Sequence, residues 1–357
     1  MSSSQQLLFV GSYAAATEPG IYAFRFDDAT GTLTPGVSFS GIANPSFLIV
    51  HPNRRWLYAV GETSHAHNGA PGAVSALRFD ADSGAIEPIN HQHSGGDAPC
   101  HLALDATGRW LLASNYGSGS VSVYGIAADG SLSAATDFIQ HQGSSANPER
   151  QEGPHAHSAT PTPDNRFVIV ADLGIDQLIV YALDTTAGKL LPHAQTRTRP
   201  GAGPRHIAFH PNSQRVYLGN ELDNTVNVYD YDAAGGTLRE LQTLETLPAG
   251  APESYVADVH VSAAGDRVYV SNRGHDSIAV FAVGPDGRLE RAAVPSCGGK
   301  WPRNFALAPS GRFVLVANQH SDNLAVLPVE LGGAELGSPC ANASISKPSC
   351  VQFMPSL

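Results

Sequence analysis

Cysteine is scarce in this chain. Its four residues, Cys100, Cys297, Cys340 and Cys350, are scattered without any C-x-x-C spacing, so they read as free thiols in a reducing cytoplasm. Basic residues are also in short supply: 21 Lys and Arg stand against 32 Asp and Glu, for a net charge of −11. Such a balance argues against nucleic acid or an anionic membrane as the main partner. No apolar run approaches the roughly 20 residues that a spanning helix needs. The first six residues, Met1 to Gln6, hold no basic region and lead directly into a strand-like segment, so no secretory signal is expected. Long amphipathic helical patterns are missing as well.

What the chain has is turns and short strands. With 36 Gly, 25 Pro and 42% hydrophobic residues it is too turn-rich for a helical protein, yet apolar enough to form a core. Segments such as Phe167-Val168-Ile169-Val170 and Ser120-Val121-Ser122-Val123-Tyr124 are short and β-branched. They belong to a repeat whose clearest copy runs from Gly203-Pro204-Arg205-His206-Ile207 to Leu218-Gly219-Asn220-Glu221. Each copy has a polar start, an alternating strand, a Pro/Asn/Gly turn, a second strand and a polar exit. Further copies begin near Pro45, Pro99, Pro154, Ala257 and Pro302. The arginines at their second strands (Arg55, Arg109, Arg166, Arg215, Arg267 and Arg312) recur every 45 to 57 residues, the length of one four-stranded propeller blade.

The two ends of the chain complete a seventh copy. Lys347 to Phe353 reads as a first strand and Leu7 to Tyr13 as a second, so pairing them would close the ring and hide two sheet edges. The expected architecture is therefore all-β: a seven-bladed β-propeller of four-stranded antiparallel blades, forming a single domain over residues 1–357. The tail from Leu331 to Ser344 reads as a surface connection to the closing strand.

In an antiparallel hairpin the start of one strand and the end of the next share an edge, so the polar ends of all copies should ring one mouth of the channel. The starts bring His101, His155, His157, Arg205, His206, Asp258, Arg303 and Asn304, with Lys300 beside them; the exits bring Glu62, Asn115, Tyr116, Asp172, Asn220, Glu221, Asn272, Arg273, Asn318 and Gln319. Arg205 and Glu221 face each other across one hairpin, with His157 and Arg273 from the copies on either side. A glutamate, a histidine and two arginines offer a base, an acid and two anion-binding forks without an obvious nucleophile. That set suits activation of water, or proton movement, beside an anionic substrate.

Plainer readings of the same residues stand beside this one. Arg205 and Glu221 could form a salt bridge that only fixes the hairpin, and the recurring asparagines could cap strand ends. His155-Ala156-His157 has metal-ligand spacing, but no cysteine or carboxylate motif accompanies it. The His65/His67 and His91/His93 pairs lie in sequence that reads as solvated loop. Lys300-Trp301-Pro302-Arg303 could hold a phosphate or carboxylate, or simply cover the rim. The segments 63–72 and 140–152 adjoin the polar edge, where they could act as lids.

At these residues the chain resembles the lactonase-type seven-bladed propeller family, which includes propeller 6-phosphogluconolactonases and carboxy-cis,cis-muconate cyclases. The likeness covers essentially the whole chain. It is most specific at residues 153–158, at 201–211, at Asn220-Glu221-Leu222 and at Tyr269-Val270-Ser271-Asn272-Arg273-Gly274. The resemblance implies His157, Arg205, Glu221 and Arg273 as catalytic residues, no metal or organic cofactor, and a small lactone, anionic in character, as partner. The function expected from it is hydrolysis of 6-phosphogluconolactone by a cytoplasmic monomer or small homo-oligomer, with Glu221 or His157 as the base. An unphosphorylated aldonolactone, muconate cycloisomerisation and a non-catalytic docking propeller are the competing readings.

Overall fold

The structure is a computed structural model that describes residues 5–330 and 335–355. The His67 and Asn68 side chains and residues 331–334 of the tail lie outside that description. Seven sheets of four antiparallel strands are present, and in each the strands follow one another in chain order. The exception is the sheet formed by the two ends, where Pro348–Phe353 pairs with Gln5–Ser12, followed by Ile21–Asp27 and Thr32–Phe39. The expected closure is thus found, with Val10 opposite Val351 and Leu8 opposite Phe353.

The first strand of each blade lies innermost. Leu48–Val50, Pro99–Leu104, Ala156–Pro161, Pro204–Phe209, Tyr255–Val261, Pro302–Leu307 and Pro348–Phe353 touch one another in that order, and the last touches the first. Second and third strands are apolar on both faces because blades pack on either side of them. Phe167–Asp172, for example, is buried at every position. The outermost strands alternate exposed and covered residues, as Thr237–Glu245 does, because only one face meets a neighbour. The apolar core is therefore divided into clusters between adjacent blades, such as that of Tyr217, Val256, Val268 and Phe281.

The turns at the end of the barrel away from the polar rim link neighbouring blades. His51 Nε2 lies 2.9 Å from the Gly108 carbonyl, and His210 Nε2 makes the same 2.9 Å contact with Gly265. Gly108 has φ +66°, and a Cβ there would come within 2.6 Å of the His51 ring, so both conformation and space require glycine. The tail departs from expectation. Rather than serving only as a connection, it supplies Ala341–Ser344 as the fourth strand of the sixth blade, paired with Asn323–Pro328.

Candidate active site

One local device turns this scaffold into a site. The pairing of first and second strands slips in six blades, leaving an extra residue in the innermost strand. Those residues are Cys100, His157, Arg205, Arg303, Ser349 and, in the fifth blade, the pair Ala257 and Asp258. A bulge re-aims a side chain that the pleat would otherwise send into a blade. Ser46 holds the corresponding place in the remaining blade, and Ser46, Cys100, Arg205, Arg303 and Ser349 bound a common cavity in the channel. The bulge also takes His157 out of alternation with His155.

Glu221 is the hub of the polar cluster. Its Oε2 accepts from Arg205 Nε at 3.0 Å and from Arg273 at 2.7 Å, and its Oε1 accepts from Arg150 at 2.7 Å. The Arg205, Glu221 and Arg273 side chains are at least nine-tenths buried. Arg273 also donates to the Val256 carbonyl at 3.1 Å and lies 5.5 Å from the Trp301 ring. Arg205 donates to the Ala257 carbonyl, and its Nη1 stands 3.5 Å from His206 Nε2. Opposite, Arg303 lies over Tyr13 at 5.1 Å and 4.0 Å from Glu62, which accepts from the Tyr13 hydroxyl at 2.7 Å and from Ser46.

Four guanidiniums thus face Glu221 and Glu62, with Asp258 behind Arg205 as a third carboxylate, which leaves a local surplus of positive charge on a chain whose net charge is −11. Burial alone would raise the Glu221 carboxyl, but Arg273, Arg205 and Arg150 outweigh it and hold the group far below the usual range. Burial lowers Arg273 to about 10, with Glu221 opposing. His157 is pushed well below its ordinary value by burial and then by Arg205, and His206 falls to about 4 for the same two reasons. Near neutral pH this site contains a fixed carboxylate, fixed cations and neutral imidazoles.

Of the four residues expected to be catalytic, Arg205, Glu221 and Arg273 are therefore in direct contact, and His157 joins through its ring. The His157 ring lies 5.2 Å from that of His206 and 5.4 Å from Tyr116, with Nδ1 3.7 Å from Cys100 Sγ. Tyr116 stacks on His155 at 4.5 Å and accepts from Arg150 at 3.1 Å. His155 has both ring nitrogens engaged, by the Tyr116 carbonyl at 2.8 Å and Glu152 at 3.3 Å, which leaves it unsuited to ligate a metal with His157. Among the described residues, no group of three metal-ligating side chains is gathered.

Several expected contacts lie elsewhere. Asn115, Asn220 and Asn318 are fully buried at strand ends. Asn115 and Asn220 tie to Ser120 and Thr225 five residues on, and Asn318 ties to the Cys297 carbonyl. Asp172 is buried in the same register position, accepting from His141 at 2.6 Å and from the His155 amide at 2.7 Å. These four fasten the blades; for the three asparagines this is the capping that the plainer reading offered. Lys300 is exposed, and Gln319 borders a depression with His320 and Lys347 that meets the cluster only at Tyr13. His101 sits deeper, against Phe47 at 4.6 Å and His206 at 5.2 Å.

Sequence reasoning placed Glu62 and Asp258 at the polar edge but missed Arg150, Tyr13 and Cys100 as site residues. Cys100, between Pro99 and His101, is the one that the repeat grammar could have found. Arg150 carries no motif. It reaches Glu221 only because its segment is pinned to the third blade by Ser145 to Asp176 at 2.6 Å and Gln151 to the Leu173 carbonyl at 2.8 Å.

A seven-bladed propeller with a buried arginine–glutamate cluster at one channel mouth is the class of molecule these observations define. The chain belongs to the family of seven-bladed β-propeller lactonases, whose family model matches residues 7–353. A 6-phosphogluconolactonase of Bacillus subtilis is 35% identical over 348 residues, 97% of each chain. A Formosa agariphila protein, also named 6-phosphogluconolactonase, is 33% identical over 89% of this chain and 91% of its own. The solved periplasmic gluconolactonase of Pseudomonas aeruginosa superposes with TM-score 0.93 at 35% identity, covering 98% of this chain and 99% of that one.

Proposed function

We propose that this protein hydrolyses a sugar-acid lactone, 6-phosphogluconolactone, to the open acid, as a cytoplasmic enzyme of the pentose phosphate pathway. The observation that carries the reading is the surplus of guanidinium charge at one channel mouth, which suits an anionic ring and the oxyanion formed on it. Arg205, with Nε held by Glu221, turns its guanidinium into the channel and stabilises the carbonyl oxygen as water adds to the carbon. Arg303 and Arg273 hold the anionic group of the substrate. The acyl C–O bond then breaks, the ring oxygen takes a proton, and the acid product leaves. No step requires a metal.

Glu221 is a poor candidate for the base, because three arginines make its carboxylate too weakly basic. Its role in this scheme is to fix those arginines. The proton acceptor is a neutral imidazole of the channel wall.

A second reading, hydrolysis of an unphosphorylated lactone, is favoured by the likeness to a periplasmic gluconolactonase, at the same 35% identity as the Bacillus relative. Proton release on 6-phosphogluconolactone, gluconolactone and galactonolactone, with and without chelator, separates the two. A strong preference for the phosphorylated ring, untouched by chelator, supports the first. Preference for an unphosphorylated ring supports the second, and no hydrolysis of any ring removes both.

A further inference from the structure

Below the arginines the channel holds a second polar group. His206 Nδ1 lies 2.8 Å from Asp258 Oδ1, and His260 Nε2 lies 2.9 Å from Asp258 Oδ2, which also accepts from the Asn304 amide. Asn304 in turn accepts from the Val351 amide at 2.7 Å, so it is held in place from the closing strand. Asp258 and the His206 side chain are almost fully buried, whereas His260 is 38% exposed at the opposite mouth. There it borders a cavity of about 280 Å³ with Thr160, Gln352 and His101.

Two contacts fix the tautomer of His206. A carboxylate can only accept, so Nδ1 carries the proton, and Arg205 Nη1 can only donate, so Nε2 presents its lone pair to the guanidinium side. On that side lies an enclosed cavity of about 10 Å³, bounded by Arg205, Arg303, Cys100 and His206, which is room for about one water. Among the described residues His157 has no comparable support, its Nδ1 facing the Cys100 thiol at 3.7 Å.

We propose, resting on the lactonase reading, that His206 is the proton acceptor of the reaction, oriented by Asp258, and that His260 connects the pair to the far mouth of the channel. The water O–H bond breaks toward His206 Nε2 as its oxygen bonds to the carbonyl carbon. Asp258 offsets the imidazolium that forms, as a carboxylate does behind any histidine base. Arg205 couples the two events. Together with burial, Arg205 helps keep His206 neutral even with its Nε on Glu221, and as the oxyanion develops on the guanidinium that restraint weakens and Nε2 becomes more basic. The proton then returns to the ring oxygen. That return resets His206, and the remaining proton leaves with the acid product; His260, on the other oxygen of Asp258, holds that carboxylate in place from the far mouth.

The test has two arms. In the wild-type protein, ¹⁵N spectra of labelled histidine should show His206 protonated at Nδ1 and bare at Nε2, and the reverse tautomer would overturn the proposal without reference to activity. In kinetics on whichever lactone the wild type turns over, His206→Asn and Asp258→Asn should each lower kcat by about 10²- to 10⁴-fold with little change in KM. His206→Ala should regain part of its turnover with added imidazole, which can enter from the far mouth. Folded variants that keep full kcat, or imidazole rescue confined to His157→Ala, would overturn it. A wild type inactive on every lactone would sink the lactonase reading, and the assignment of an acceptor with it, even if the tautomer were as described.

Discussion

Arg150 donates to Glu221 at 2.7 Å across 71 residues of chain, tying a segment without regular structure to the centre of the cluster. The contact makes segment 140–152 one wall of the site. Arg150 is also the least buried cation on Glu221, at 35% exposure against 6% or less for Arg205 and Arg273.

Arg150→Gln should therefore lower kcat/KM by about 5- to 30-fold, the effect of losing a charged hydrogen bond of about 1–2 kcal/mol. Limited proteolysis should now cut within 140–152 while the melting temperature stays close to wild type. An unchanged kcat/KM would show that this wall takes no part in turnover.

Arg205→Ala should reduce turnover by about 10²- to 10³-fold, as loss of an oxyanion donor does, in a protein that still folds because Glu221 keeps Arg273 and Arg150. Glu221→Gln differs in kind. It leaves three guanidiniums crowded without their carboxylate, and denaturant titration should show a loss of about 3–5 kcal/mol. Similar stability in the two variants would contradict the hub role of Glu221.

Acid should destabilise the fold early. His101, His157 and His206 are all held neutral by burial, so below about pH 6.5 the unfolded chain binds protons that the folded one refuses. Each contributes a loss of up to about 1.4 kcal/mol per pH unit as pH falls from 6.5, until its folded-state value is passed. His260 has the opposite sign: Asp258 raises it against burial, so its contribution is full below about pH 6.5 and fades as pH rises through the folded value. Melting temperature measured from pH 7.5 to 4.5 should therefore fall, and His157→Gln should make the fall shallower.

Thiol titration of the native protein should find one reactive cysteine. Cys340 is exposed, while Cys100, Cys297 and Cys350 are buried and burial pushes their thiols up, so they react only after unfolding. Rapid modification of Cys100 in the folded state would mean that the channel opens more widely than described.

Ring closure can be tested by deletion. Removing residues 348–357 takes away the strand paired with Gln5–Ser12 and uncovers Val10 and Leu8. The truncated chain should lose its cooperative melt or aggregate, because an unpaired apolar edge is left in the ring.

The repeat grammar by itself determined the blade number, the closing pair and the mouth where polar groups gather. These depend on local alternation and turn chemistry, which recur visibly every 45 to 57 residues. Arg205, Glu221 and Arg273 were legible for the same reason, being at strand ends that one hairpin geometry brings together. Only the tertiary structure decided which residues at those ends face the channel. Asn115 and Cys100 lie on paired strands near the same rim, yet the bulge sends Cys100 into the channel cavity while Asn115 points back to Ser120. Arg150 and Asp258 acquire their partners through contacts 71 and 52 residues away. Contacts of that kind depend on the packing of one blade against another, and local pattern carries no record of them.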